Sequence, residues 1–208
     1  MAAQNHQLAM LHVAYNQQAA AMEKDAFEKM VKHFKPKLAM LVRLDHFKQI
    51  GGCSLVDPKL SIETIAELAG QRPQTWLAFG LETFWSVAAS WAMKIGAQTI
   101  YCGGSEDYGL SMPENRKLEP SIDREMIQLF NCMLKKVAYA DQKITLELPF
   151  LTMKRMEMLQ LASQLKSPLN LTWSCYKGGP EPCGQCYRCQ IRRQGFTVCT
   201  QKDLRFPA

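Results

Sequence analysis

Leu8-Ala9-Met10-Leu11-His12-Val13-Ala14 and Leu38-Ala39-Met40-Leu41-Val42 are short apolar runs of strand length, and between them Met22, Ala26 and Met30 recur at helical spacing beside Phe27, Val31 and Phe34. Residues four apart line one face of a helix, whereas a brief unbroken apolar run buries well as a strand. The stretch predicts a strand, a helix and a second strand, the unit from which parallel sheets are built.

The alternation continues along the chain. Ser61–Ala69 carries a second helical pattern, preceded by the Asp57-Pro58 boundary and followed by Gly70, while Gly51-Gly52 and Arg72-Pro73 read as loops. Trp85, Ala88, Ala89, Ala92 and Met93 form the apolar face of a helix over Glu82–Ile95, stopped by Gly96, and a strand is predicted at Gln98–Cys102. Cys102-Gly103-Gly104 then turns the chain into the long irregular stretch Gly104–Pro120, of a kind that marks functional loops in compact domains. A helix is predicted from Ser121 to about Lys136 and a strand over Ile144–Leu148, ended by Pro149, with Thr152 placed to cap a helix running to Leu165. This pattern implies an α/β fold with a parallel sheet, in one domain over residues 1–208.

The composition supports a globular core. With 208 residues, 47% of them hydrophobic and 21% charged, the chain is neither disordered, collagen-like nor a small disulfide scaffold. Its apolar stretches, such as Phe84–Met93, are interrupted by serines and fall short of the ~20 residues that span a bilayer. The N-terminal apolar run lacks a preceding Lys or Arg, as a secretory signal would require, so the expectation is a cytoplasmic protein with no membrane partner.

Four of the eight cysteines, Cys175, Cys183, Cys186 and Cys189, follow the spacing C-x7-C-x2-C-x2-C. Two residues between thiolates let a tight turn aim both sulfurs at one ion, and Gly184 supplies the freedom that turn needs. Redox thiols and an iron–sulfur cluster use similar spacings, but in a reducing compartment the pattern points to zinc. Four thiolates saturate a tetrahedral ion, so the metal is expected to be structural. Cys53, Cys102, Cys132 and Cys199 are scattered and read as small buried apolar residues, and Trp76, Trp85 and Trp91 as core. His6, His12, His33 and His46 have no ligand spacing and read as ordinary surface or core residues. Residues 175–208 carry +4 of the total charge of +6, which admits a nucleic-acid or nucleotide phosphate as partner and equally a solvated basic face.

The order Ser174-Cys175-Tyr176, then Cys183-Gly184-Gln185-Cys186-Tyr187-Arg188-Cys189, then Arg192 and Phe196, resembles the C-terminal signature of the 7-cyano-7-deazaguanine synthase (QueC) family. The signature spans residues 174–196, and the resemblance covers most of residues 8–196. Tyr15-Asn16-Gln17 is similar to the family's Tyr-Gly-Gln, with Ala26 at the matching helix position. Leu77–Met93 is similar to the segment that opens with Phe-x-Pro-Gly-Arg-Asn. Gly103, Glu106, Pro113 and Arg116 match the loop ending in Pro-Asp-Cys-Arg, and Pro149 and Glu157 match the last strand and helix, with Arg155 where the family carries Lys.

The resemblance implies an ATP-pyrophosphatase fold with a Rossmann-like parallel sheet and a zinc motif. It further implies an ATP- and magnesium-dependent carbon–nitrogen ligase of queuosine biosynthesis, turning 7-carboxy-7-deazaguanine and ammonia into the 7-cyano base, or acting on a related carboxylate. On this reading Glu106 and Arg116 contact substrate, Gly103 and Gly104 approach the nucleotide, no catalytic residue is assigned, and the protein is a homodimer. The chain also departs from the family. It contains no Ser-Gly-Gly-x-Asp-Ser phosphate loop, its first strand corresponds to the family's second, and Gly-Arg-Asn reads Gly80-Leu81-Glu82. Pro-Asp-Cys-Arg reads Pro113-Glu114-Asn115-Arg116, followed by the acidic stretch Glu119–Asp123. These departures admit a start that falls inside a longer protein, or a diverged binding or partner subunit that has given up catalysis. A zinc-ribbon nucleic-acid binder is a third reading. A missing central strand further predicts low solubility or association through unpaired strand edges.

Overall fold

The computed structural model describes residues 5–64, 67, 73–104 and 122–198. Along the chain run β1 (Ala9–Ala14), α1 (Ala20–Phe34), β2 (Leu38–Arg43), α2 (His46–Ile50), α3 (Gly80–Ile95), β3 (Thr99–Tyr101), α4 (Arg124–Val137), β4 (Thr145–Glu147), α5 (Arg155–Gln164) and α6 (Tyr187–Val198). They group into two compact units, one of residues 1–77 with 155–208 and one of residues 78–154.

In the first unit β1 and β2 lie parallel, Ala9 opposite Leu38 through Ala14 opposite Arg43, joined by α1 as the apolar pattern requires. Helix α1 buries Ala26 and stacks Phe27 on His12 of β1 at 5.4 Å between ring centroids. It ends where Lys35 turns left-handed at φ 47° and Pro36 follows. Burial lowers the pKa of His12, as befits a core imidazole.

The second unit is organised round Trp85, which is 1% exposed on α3 and meets Phe130 of α4 edge-on at 5.3 Å. Ala89, Ala92, Leu134, Ile144, Leu146 and Leu148 complete this core. Gly96 stops α3 at φ 73°, and β3 runs parallel to β4 from Thr99 opposite Thr145 to Tyr101 opposite Glu147. Asp123 caps α4 by accepting the Met126 backbone N–H at 2.9 Å, so one residue of the acidic stretch serves a helix N-terminus.

The structure alters several expectations. The expected sheet is seen as two parallel pairs, β1 with β2 and β3 with β4, and no strand joins them among the described residues. Thr152 is not the cap, since α5 begins only at Arg155; the Pro149 corner extends through turns before a helix can start. Ser61–Thr64 is irregular, and of the rest of the second helical pattern only Glu67 is described. Cys132 is exposed because it lies on the outer face of α4, and Cys102, Trp76 and Trp91 are half-buried. Cys199 and residues 105–121 lie outside the described residues.

The outer edge of β4 is closed by a side chain. Asn131 donates from Nδ2 to the Leu146 carbonyl at 3.0 Å and accepts the Leu146 N–H at 2.7 Å, taking the place of a neighbouring strand. Because Leu146 is 1% exposed, water cannot substitute. Replacing Asn131 by Ala should lower the unfolding free energy by about 1–3 kcal/mol. Asp, which accepts but cannot donate when ionised, should do no better; urea denaturation of both variants checks this.

Candidate metal centre

The four cysteines of the C-terminal signature converge in the first unit. Cys175 lies beyond a single 3-10 turn at Leu169–Leu171, Cys183 and Cys186 bracket a tight turn whose Gly184 has φ 71°, and Cys189 sits in the first turn of α6. Their ligand atoms all lie within 4.8 Å of one another, and the Cys183 and Cys189 sulfurs are 3.9 Å apart. A tetrahedral ion with metal–sulfur bonds of about 2.3 Å sets its sulfurs about 3.8 Å apart, so the arrangement fits one such ion.

Local backbone groups stabilise the sulfurs. The N–H groups of Lys177 and Cys183 point at Cys175 Sγ, at 3.3 and 3.4 Å, and that of Cys186 points at Cys183 Sγ at 3.3 Å. Such donors favour thiolate over thiol. The thiols also act on one another. Hydrogen bonds with Cys175 and Cys189 hold Cys186 far below the ordinary thiol range, while the bond with Cys186 pushes Cys175 up to about 11, and Cys189 is pushed up by both neighbours. A divalent cation would replace those shared protons. With Cys175, Cys186 and Cys189 at 1% exposure or less and Cys183 half-buried, the four sulfurs would complete a tetrahedral coordination.

The cluster fastens other parts of the unit. Ile62 packs on Cys175, Cys186 and Cys189, and the Tyr187 N–H donates to the Glu63 carbonyl at 3.3 Å. Trp173 Nε1 donates to the Cys175 carbonyl at 2.8 Å. Buried Arg192 donates to the Leu169 carbonyl, the Thr172 hydroxyl and carbonyl and the Ser174 hydroxyl, with its guanidinium over the Phe196 ring. A Cβ at Gly178 would overlap the Gln18 carbonyl oxygen, so the cysteine loop lies directly against the turn that leaves β1. The sequence singled out neither Gly178 nor Ile62 nor Glu63, because nothing in a one-dimensional reading ties residues near 18 and 62 to the cysteines.

That turn is itself tied together. Asn16 adopts φ 63°, the left-handed conformation that glycine holds most easily, and Gln17 accepts the Tyr15 N–H while donating to Glu23 at 2.6 Å. Burial pushes the Glu23 carboxyl up, partly offset by Gln17. Gln18 donates to Leu55 from its backbone and to the Ser54 carbonyl from its side chain. Ser54 Oγ and Glu63 Oε2 are buried without a hydrogen-bond partner, while the other Glu63 oxygen accepts the Gln74 N–H.

Of the other residues singled out, Gly103 and Gly104 follow β3. Gly103 has open space where a Cβ would stand, whereas Gly104 has Leu148 and Ile122 at 2.9 and 3.2 Å, so its smallness serves packing. Glu106 and Arg116 lie outside the described residues. At the start of α3, Leu81 packs into the second core and Glu82 occupies the first turn, where a carboxylate favours the helix dipole.

Comparison with known proteins bears on this geometry. A family model described as "Queuosine biosynthesis protein QueC" matches residues 1–200. A 7-cyano-7-deazaguanine synthase of Methanothrix thermoacetophila is 32% identical over 189 residues, 90% of this chain and 81% of that protein. Another, from Chlorobium phaeobacteroides, is 31% identical over 202 residues, 97% of this chain and 86% of its own. A third, from Campylobacter curvus, is 30% identical over 200 residues, 96% and 86% of the two chains.

Two predictions follow from the geometry. Protons compete with the ion for the sulfurs, so metal retention should hold at neutral pH and fail on acidification, with loss of near-UV circular dichroism as the first unit loosens. A cobalt-substituted sample, followed by its tetrahedral thiolate absorption, reads the release directly. Independently, Gly178→Ala should destabilise the protein by about 1–3 kcal/mol while leaving one metal ion per chain, measured by thermal melts and elemental analysis.

Proposed function

The chain belongs to the QueC family of queuosine biosynthesis proteins, and from that premise we propose that it is an ATP-dependent ligase converting 7-carboxy-7-deazaguanine and ammonia to 7-cyano-7-deazaguanine. The observation that carries the reading is the family match over residues 1–200. The named relatives, 7-cyano-7-deazaguanine synthases alike along most of the chain, support it. We further read the fold as Rossmann-like, of the ATP-pyrophosphatase type, and the ion that the four-cysteine site would hold as zinc.

In the proposed chemistry the substrate carboxylate attacks the α-phosphorus of ATP and pyrophosphate leaves. Ammonia displaces AMP from the acyl adenylate to give the amide. The amide oxygen then attacks the α-phosphorus of a second ATP, releasing a second pyrophosphate, and loss of AMP and the remaining N–H proton leaves the nitrile. Each step turns a poor leaving oxygen into a phosphate ester, so the demand on the protein is electrostatic, met by magnesium and N–H donors rather than an acid–base pair. Cys175, Cys183, Cys186 and Cys189 hold zinc as a structural ion, which supplies rigidity and no reactive position. We assign nucleotide approach to Gly103 and Gly104, and contact with the acidic substrate or its magnesium to Arg116 and Glu106.

One observation favours a second reading, a family member that binds without turning over. Glu82 lies in the first turn of α3, beside Leu81 in the core, where the resemblance leads one to expect a cationic partner for phosphate. A carboxylate there repels phosphate unless a metal lies between them.

Mass spectrometry of zinc-loaded protein with magnesium-ATP, ammonium and 7-carboxy-7-deazaguanine distinguishes the two. The ligase reading predicts loss of the acid, appearance of amide and nitrile, and AMP. Folded protein that forms neither product nor AMP overturns it in favour of the binding reading. If turnover is seen, Glu82→Gln should lower KM for ATP, by roughly two- to fivefold if one repulsive charge of about 0.5–1 kcal/mol is removed.

A further inference from the structure

The four cysteines of the candidate metal centre are not equally shielded. Cys175, Cys186 and Cys189 are at most 1% exposed, whereas Cys183 is half-buried. Its neighbours Pro182 and Gly184 are half-buried too and Gln185 is exposed, so the turn that carries Cys183 lies at the surface. Of the four sulfurs, that of Cys183 is therefore the one a small solute meets first.

Two features of the turn bear on what such a solute would do. The Cys183 sulfur lies 3.9 Å from that of Cys189, in the first turn of α6, and a disulfide requires the two to close to about 2 Å. A Cβ placed on Gly184 would stand 3.2 Å from Arg193 Nη2, so a guanidinium lies against the same turn. Cysteines that sense oxidants are partly exposed, sit beside positive charge and have a second thiol within reach to resolve the first oxidation product. Cys183 meets all three conditions, and Cys132, the exposed cysteine of α4, lies outside the cluster.

We propose that Cys183 is a site of oxidative modification by a peroxide, with Cys189 as the resolving thiolate, through which the four-cysteine site opens and gives up its ion. The Cys183 thiolate attacks one oxygen of hydrogen peroxide, the O–O bond breaks, and hydroxide leaves while Cys183 becomes a sulfenic acid. The positive charge of Arg193 at this turn favours the departing anion. The Cys189 thiolate then attacks the sulfenic sulfur, forming the S–S bond and releasing a second hydroxide. Two thiolates have lost two electrons, and the peroxide has gained them. An ion left with Cys175 and Cys186 alone has lost half of its tetrahedral set and departs. A dithiol returns the two electrons, so the change is reversible. Opening also loosens the contacts of Ile62 and Glu63 with the cysteines and α6, so oxidation is felt well away from the sulfurs. The inference rests on reading the site as a metal centre, which elemental analysis of the untreated chain checks separately, and is independent of whether ATP is consumed.

The test treats the full zinc-loaded chain with hydrogen peroxide, follows zinc release with a chromophoric chelator, and maps the products by non-reducing digestion and mass spectrometry. Zinc should leave in step with a Cys183–Cys189 disulfide, and dithiothreitol with added zinc should restore the starting state. Cys183→His keeps a three-cysteine, one-histidine set that structural zinc accepts, and should slow peroxide-driven release by roughly tenfold or more. Brief alkylation of the zinc-loaded wild type with iodoacetamide needs no variant, and should label Cys183 ahead of Cys175, Cys186 and Cys189. Exposed Cys132 serves as the internal reference. Zinc still bound after peroxide has consumed Cys132, a disulfide that omits Cys183 or Cys189, release unslowed in Cys183→His, or equal labelling of the four cysteines overturns the proposal.

Discussion

Four sulfurs within 4.8 Å of one another, three of them withdrawn from solvent, are the constraint on which the first unit depends. Thiolates this close repel and thiols this close compete for protons, and a cation at the centre would relieve both. The cluster's contacts reach well beyond its sulfurs. Ile62 packs against the cysteines, the Glu63 carbonyl is held by Tyr187, and Gly178 brings the loop onto Gln18. Metal bound there would thus order segments from three distant parts of the chain.

The second unit solves a different problem, the polar edge of a short sheet. Two strands of three residues bury little by themselves, and each leaves an unpaired edge. Asn131 closes one edge by presenting an amide where another backbone would stand, while Trp85 and Phe130 fill the space behind it. The short strands survive because helices α3 and α4 bring both the apolar mass and this substitute strand.

The elements most legible in the sequence are those whose signal is local. The strands at Ala9–Ala14 and Leu38–Arg43, the helix between them and the stop at Gly96 all follow from periodicity and glycine geometry. The convergence of the four cysteines was legible too, because two-residue spacing has a direct geometric meaning at an ion. What was not legible was long-range or compensatory. Thr152 looked like a cap, but only the path of the chain after Pro149 decides where α5 begins. Cys132 looked like a core residue, yet the apolar residues of α4 occupy more than one face, and only the packed structure shows which face the core takes. Gly104 was read for backbone approach, whereas Leu148 and Ile122 give it a packing reason as well.

Glu82 shows why folding and nucleotide chemistry need not agree at one residue. In the first turn of α3 its charge is favourable to the helix, since the unpaired N–H groups there carry partial positive charge. The same partial charge is what makes a helix N-terminus attractive to phosphate, and a resident carboxylate satisfies it first. Leu81 compounds the effect, because a side chain committed to the core cannot also reach an anion. A phosphate brought near this turn would therefore meet a repulsive carboxylate in place of free N–H groups. The four-cysteine site is under no such conflict, since the contacts that would hold an ion there are the same ones that join Ile62, Glu63 and α6.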